Sequence, residues 1–309
     1  MSRSLVIGSR GSKLALWQAE QAKSRLLALN PEIEVRIEII KTTGDVKTDP
    51  LSVIGGKGVF TKELEDALLA GRIDLAVHSL KDLPTVLPDG LTISAICERD
   101  DPRDALVVRE DLKARSGSIL NLPEKAVIGT SSQRRVGQLR ALRGDVVVKD
   151  VRGNVDTRLK KLDDGQYDAL ILAAAGLRRL DLHDRIDAVI APEEMVPAVG
   201  QGAIAIETRA DDAFTIETTG QLDHHETRLC CLAERAFLRG LGGGCQFPIA
   251  GHAIIENEQL RLDGLVATPD GSKILRDQLA GPAKDTEDLG SFLAAHLINL
   301  GADSLLNPR

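Results

Sequence analysis

With 309 residues, 43% of them hydrophobic and 28% charged, the chain has the make-up of a folded protein of two or three domains, which excludes disorder as its main state. Its net charge of −7 conceals a basic stretch from 130 to 161 with nine cations against three carboxylates, but no aromatic residue falls there, so nucleic acid would find no stacking platform. Four cysteines without Cys-x-x-Cys spacing, no run of membrane-spanning length and no signal-peptide pattern set aside a disulfide framework, a zinc site and a membrane anchor, and a reducing cytoplasm is expected.

In chain order, β-rich runs at Leu5 to Gly8, Val35 to Ile40, Ile73 to His78, Leu91 to Ile96, Val127 to Gly129, Val146 to Val148 and Ala169 to Leu172 alternate with helical runs. The first helix, Lys13 to Leu29, carries Ala15, Ala19, Ala22, Leu26 and Leu29 at 4-3-4-3 spacing, one apolar stripe, and stops before Pro31. A charged crossing, Arg99 to Arg103, opens a second unit of the same rhythm. Pro197 to Gly202 and the strand Ala203 to Glu207 return the chain to the first. A helix His225 to Arg239, strands Ile249 to Ile255 and Leu260 to Ala267 and a helix Leu289 to Leu300 form an α+β end. The expected fold class is α/β: two clamshell, periplasmic-binding-protein-like lobes plus a smaller C-terminal α+β domain. The boundaries are 1–98 with 197–217, then 103–193, then 218–309. A ligand cleft between the lobes follows from that architecture.

Ligands of open α/β sheets lie beyond the carboxyl ends of the strands, where helix N-termini present unpaired N–H groups. Those junctions here are Ile7 to Ser12, Val77 to Pro84, Gly129 to Arg135, Asp150 to Arg158 and Ala174 to Arg179, and each carries hydroxyls, cations or both. Arginine offers a planar fork that matches a carboxylate or phosphate with two parallel bonds, so recurrent forks imply a ligand with several anionic groups. Gly55 to Gly58 lacks the full spacing and the Ser or Thr of a phosphate loop, which sets aside a nucleoside triphosphatase. The connection from Thr42 to Gly58 reads either as a surface loop or as a lid placing Lys57 and Phe60 over a ligand.

Asp82, between Lys81 and Pro84 at a strand end, reads either as a turn carboxylate or as one that balances charge and relays protons. Cys245, behind three glycines, reads either as packing or as a thiol displayed for covalent attachment. Cys230 and Cys231, on a helix rich in Leu and Ala, read as packing, and His78 reads as a residue packed in the sheet.

Taken together, Gly8 to Gln18, Gly55 to Gly58, His78 to Pro84, Gly129 to Arg135, Arg152 to Arg158, Gly200 to Gly202 and Gly243 to Gln246 closely resemble the porphobilinogen deaminase family, nearly end to end. The resemblance implies a three-domain transferase of haem biosynthesis that joins four porphobilinogen molecules head to tail, with loss of ammonia, into hydroxymethylbilane. It implies a dipyrromethane cofactor bound to Cys245 through a thioether, with Lys81, Asp82, Thr130, Ser132, Arg134, Arg135 and Arg158 around it. Asp82 is implied as the catalytic carboxylate. Arg10, Ser79, Arg152, Arg158, Arg179, Lys57 and Phe60 are implied as substrate contacts. No metal, nucleic acid, membrane or obligate protein partner is expected, and the family's usual state is a monomer. A carboxylate-binding module without catalysis and a cysteine-dependent transferase for another polyacid are the rival readings.

Overall fold

The computed structural model describes residues 3–46, 58–115, 117–244 and 247–306. The elements run β1 (Ser4–Ser9), α1 (Lys13–Leu29), β2 (Glu34–Ile39), α2 (Thr43–Val46), α3 (Lys62–Leu69), β3 (Leu75–Ser79) and β4 (Leu91–Ile96). There follow β5 (Asp104–Val108), β6 (Val127–Gly129), α4 (Gln133–Leu142), β7 (Val147–Lys149), α5 (Val155–Asp163), β8 (Ala169–Ala173), α6 (Ala174–Arg179) and β9 (Ala188–Val189). The chain closes with β10 (Ile204–Arg209), α7 (Ala213–Gly220), α8 (His225–Gly240), β11 (Ile249–Glu256), β12 (Gln259–Ala267), β13 (Ile274–Pro282), α9 (Thr286–Asn299) and α10 (Ala302–Leu306). No described helix is long and apolar enough to cross a membrane.

Two compact units emerge, Met1–Asp100 with Ala203–Arg228, and Asp101–Gly202 with Leu229–Arg309. The first holds a five-stranded sheet in the order β2-β1-β3-β10-β4, with β1 parallel to β2 and β3, and β10 antiparallel to both its neighbours. The second holds a sheet in the order β7-β6-β8-β5-β9, with β6 parallel to β7 and β8, and β5 antiparallel to β8 and β9. Each crossing strand, β10 in one sheet and β5 in the other, occupies the equivalent antiparallel slot. The antiparallel sheet β11-β12-β13 also belongs to the second unit. Two α/β lobes and a smaller α+β part are the expected fold class.

Side-chain alternation makes both faces of the first sheet into core. Leu5, Ile7, Leu75 and Val77 pack with Ala19, Ala22 and Leu26 of α1, whereas Val6 and Ala76 pack with Leu64, Ala67 and Leu68 of α3. The apolar stripe on α1 stops one residue short of its expected end. Leu29 is 51% exposed because the helix ends at Asn30, and Gln18 is buried along the stripe instead. In the C-terminal part, Phe237 of α8 is fully buried among Leu262, Val266, Leu293 and Leu297, with Cys230 and Cys231 also inside. That burial bears out the packing role expected of the two cysteines.

Candidate active site

In the first unit the site residues sit at the carboxyl ends of β1 and β3. Ser12 caps α1, its hydroxyl accepting from the Ala15 N–H at 3.3 Å, and so fixes the turn that carries Arg10. The Arg10 guanidinium lies over the Phe60 ring, 4.4 Å from its centroid. Phe60 rests on the backbone of Gly44, where a Cβ would come within 2.1 Å of the ring. The Gly44 N–H donates to Val59 O at 2.9 Å. Thr43 donates its backbone N–H to Glu63 Oε1 at 2.8 Å. Burial alone would raise the Glu63 carboxyl, but the hydrogen bonds from Thr43 outweigh it and hold the group below its ordinary value. Lys57 lies outside the described residues.

At the end of β3, Ser79 accepts from Gln18 Nε2 at 2.8 Å. The 3₁₀ turn Leu80–Asp82 follows. Buried Leu80 donates its N–H to Ala203 O at 3.0 Å, and buried Leu83 donates back to Leu80 O at 3.1 Å. Two buried leucines thus pin a turn on which Lys81 is half-buried and Asp82 exposed. A carboxylate displayed on a fixed backbone is what a charge-balancing role requires.

In the second unit the ends of β6 and β7 are tied together. Ser131 donates its hydroxyl to Val151 O at 2.6 Å and accepts the Val151 N–H at 3.2 Å. A Cβ on Gly129 would stand 2.5 Å from a Leu170 side-chain carbon and 2.9 Å from the Tyr167 ring, so a larger residue there would have to displace them. Thr130 is buried, and its hydroxyl accepts the Ser132 N–H at 3.3 Å. Arg152 donates to Asp150 Oδ2 at 3.1 Å, and Arg158 Nε donates to Gly153 O at 2.7 Å. Gly153, with φ of +106°, adopts a backbone that a side chain would strain. Arg179, buried at the end of α6, donates to Gly202 O.

Arg134 and Arg135, in the first turn of α4, are buried and share one carboxylate that the sequence reading missed. Asp104, 0% exposed on β5, accepts from Arg134 Nη1 at 2.7 Å and Nη2 at 3.2 Å, and from Arg135 Nη2 at 2.7 Å and Nε at 3.1 Å. Burial opposes the charge on Asp104, yet the two guanidiniums dominate and hold its carboxyl far below the usual range. Two guanidiniums against one carboxylate leave a surplus positive charge, and Arg134 Nε is buried with no hydrogen-bond partner. An incoming carboxylate would supply both the charge and the acceptor.

Cys245 lies outside the described residues. Its flanks are described: Gly242 has φ of +63°, the Gly243 N–H donates to Leu238 O at 3.1 Å, and the Phe247 N–H donates to Gly244 O at 3.0 Å.

Residues 5–217 match the family model described as porphobilinogen deaminase, dipyromethane cofactor binding domain, and residues 228–299 match porphobilinogen deaminase, C-terminal domain. A protein named porphobilinogen deaminase from Chromobacterium violaceum is 52% identical, over 98% of this chain and 96% of its own. One of the same name from Chlorobium phaeovibrioides is 47% identical, over 99% of this chain and 98% of its own. Among solved structures, the second substrate binding domain of a putative amino acid ABC transporter from Streptococcus pneumoniae is 14% identical at a TM-score of 0.46, covering 77% of this chain and 94% of that one.

Proposed function

The chain belongs to the porphobilinogen deaminase family, and on that footing we propose how its own side chains divide the work. The enzyme is a transferase of tetrapyrrole biosynthesis that joins four porphobilinogen molecules head to tail, with loss of ammonia, into hydroxymethylbilane.

The dipyrromethane cofactor of this family, when bound, supplies the terminal pyrrole carbon to which the first substrate ring is joined. The donor set fits it. Every pyrrole brings an acetate and a propionate, and the single observation that carries the assignment is the buried Arg134–Asp104–Arg135 group, with its surplus positive charge and unpartnered Nε. In this reading Cys245 holds the group through a thioether. Arg134, Arg135, Thr130 and Ser132 receive its carboxylates, and Lys81 and Arg158 add cations. Arg10, Arg152, Arg158 and Arg179 take the carboxylates of incoming rings. Ser79 is a donor to them, Phe60 backs Arg10, and Lys57 adds a further cation.

Asp82 is the catalytic carboxylate. It balances the positive charge that a substrate pyrrole gains as ammonia leaves, and accepts a hydrogen bond from the ring N–H. Its turn is held by Leu80 and Leu83, so little reorganisation accompanies the change in charge. In this reading the enzyme acts as a cytoplasmic monomer without nucleic acid, membrane or obligate protein partner, and a small, highly charged, water-soluble substrate fits a site away from any membrane.

Intact-protein mass tests the assignment. The wild type is expected to carry the added mass of two linked pyrroles and Cys245→Ser to lack it; an unmodified wild type, or a modified Cys245→Ser, overturns the reading.

A further inference from the structure

Behind the strand that ends at Ser79 lies a group of ionisable side chains that the reaction as described does not use. Val77 and Ile206 face the core covered by α1, so their neighbours His78 and Glu207 face the opposite side, where α3 packs. His78 Nε2 meets Glu207 Oε2 at 3.0 Å, with the residues 5% and 0% exposed. Glu65 of α3 is 6% exposed on the same side. Glu207 Oε1 and Glu65 Oε1 are both buried with no hydrogen-bond partner.

The other elements against α3 offer little countercharge. Neither β1 nor β4 contains a charged residue. Besides Glu207, β10 contains Arg209, whose guanidinium is engaged by Leu68 O, Ile73 O, Asp74 and Asp212. On α3 itself, Lys62 is exposed, Asp66 adds a further negative charge, and Glu63 is taken by Thr43. Two buried carboxylates around one imidazole would leave a net negative charge in an apolar layer of Val6, Leu64, Leu68 and Ala76, at a cost of several kcal/mol. The cluster is neutral when His78 and Glu207 form an ion pair and the remaining carboxyl keeps its proton. Burial, the largest cause, raises the Glu65 carboxyl above its ordinary value against the Thr61 hydroxyl, which lowers it, and the charge of Glu207 adds to the rise, so Glu65 is the carboxyl whose proton this burial favours.

We propose that Glu65, Glu207 and His78 are positioning residues for the strand end that bears Lys81 and Asp82, and that they hold it in place only while Glu65 keeps its proton. His78 is followed directly by Ser79 and the pinned turn Leu80–Asp82. Ionised Glu65 would set a second negative charge beside Glu207 and separate α3 from β3, which removes the backing of that turn. A group whose value is raised by folding stabilises fully below its unfolded value, and that contribution is lost as pH rises through the folded value. The cluster therefore weakens toward alkaline pH. Its link to catalysis rests on the assignment of Asp82, whereas its protonation state does not.

Infrared difference spectroscopy of the cofactor-loaded enzyme, wild type against Glu65→Gln, reads the proton directly. The expected result is a protonated-carboxyl C=O band at neutral pH in the wild type that is lost in Glu65→Gln. In the wild type kcat and Tm are expected to decline together toward alkaline pH, and Glu65→Gln, which mimics the neutral acid, is expected to flatten that decline. Absence of the band, or identical alkaline limbs in the two proteins, overturns the proposal. Should Asp82→Asn keep full turnover while the band and the Tm difference stand, the catalytic assignment fails and the cluster does not.

Discussion

The Gln201 side-chain amide donates to Asp104 Oδ1 at 2.9 Å, so the carboxylate that grips Arg134 and Arg135 is itself held by the Gly200–Gly202 turn. Gln201 also donates to Pro102 O at 2.7 Å, and the adjacent Gly200 N–H donates to Glu234 Oε2 of α8 at 2.7 Å. Within the second unit, one turn thus joins the arginine pair to the helix that leads into the cysteine loop.

Asp104→Asn removes the only countercharge that the described hydrogen bonds give to two buried guanidiniums. Breaking such a pair costs about 3–5 kcal/mol. Urea unfolding at neutral pH is expected to show a lowered midpoint at constant slope, the shift multiplied by that slope giving the lost free energy. Because folding depresses the Asp104 value, its contribution is present above the unfolded carboxylate range of about 4 and is lost as pH falls toward the folded value. The wild type and the variant are therefore expected to converge in stability in strong acid, and a constant gap down to the acid limit contradicts the ion-pair account.

Asp82→Asn keeps the turn pinned by Leu80 and Leu83, because neither of those backbone bonds involves the carboxylate. Cofactor content by mass is expected to stay normal while kcat falls by roughly 10²-fold or more, the scale of one lost electrostatic stabiliser. Unchanged turnover removes Asp82 from the mechanism.

Much of this arrangement is legible from residue order. The strand Leu91–Ile96 follows from local period and β-branching and stands at its expected ends, and the α1 stripe follows from its period up to Leu26, with only Leu29 left exposed at the helix end. The loops with arginines and hydroxyls stand at strand ends because glycine and serine punctuate those places. Asp104 is not legible in the sequence because it follows a charged, proline-containing crossing and looks like one more solvated acid; what makes it central is tertiary, the pairing of β5 with β8 and β9. His78 was expected to pack in the sheet, and it does, but its partner Glu207 lies 129 residues away, beyond the reach of any local pattern. Strand β13 is hidden in the sequence because Arg276 and Asp277 interrupt its apolar alternation; they belong to an edge strand, where Arg276 reaches Asp263 at 2.6 Å.

Arg134→Leu leaves Asp104 with Arg135 and Gln201, a neutral pairing that can stay folded. It removes the surplus charge and the unpartnered Nε. A charge-assisted bond contributes about 1.5 kcal/mol or more, so the fraction of chains carrying the dipyrromethane mass is expected to fall about tenfold when loading is limiting. A folded variant, judged by circular dichroism, with full cofactor content and normal products excludes Arg134 from binding.

Phe60→Leu tests whether the ring prepares Arg10 for substrate. Leucine keeps an apolar contact on Gly44, but it has no π face for the guanidinium that now lies 4.4 Å from the ring centroid. An exposed cation–π contact contributes about 0.5–1 kcal/mol, which corresponds to a roughly two- to fivefold change in binding. If Arg10 meets substrate carboxylates equally in the ground and transition states, the loss is expected in KM with kcat nearly constant. Steady-state kinetics on the cofactor-loaded variant separates the outcomes. A fall in kcat at constant KM would instead put Arg10 to work in the transition state, and no change in either would leave the stack as packing between the β1 loop and Phe60.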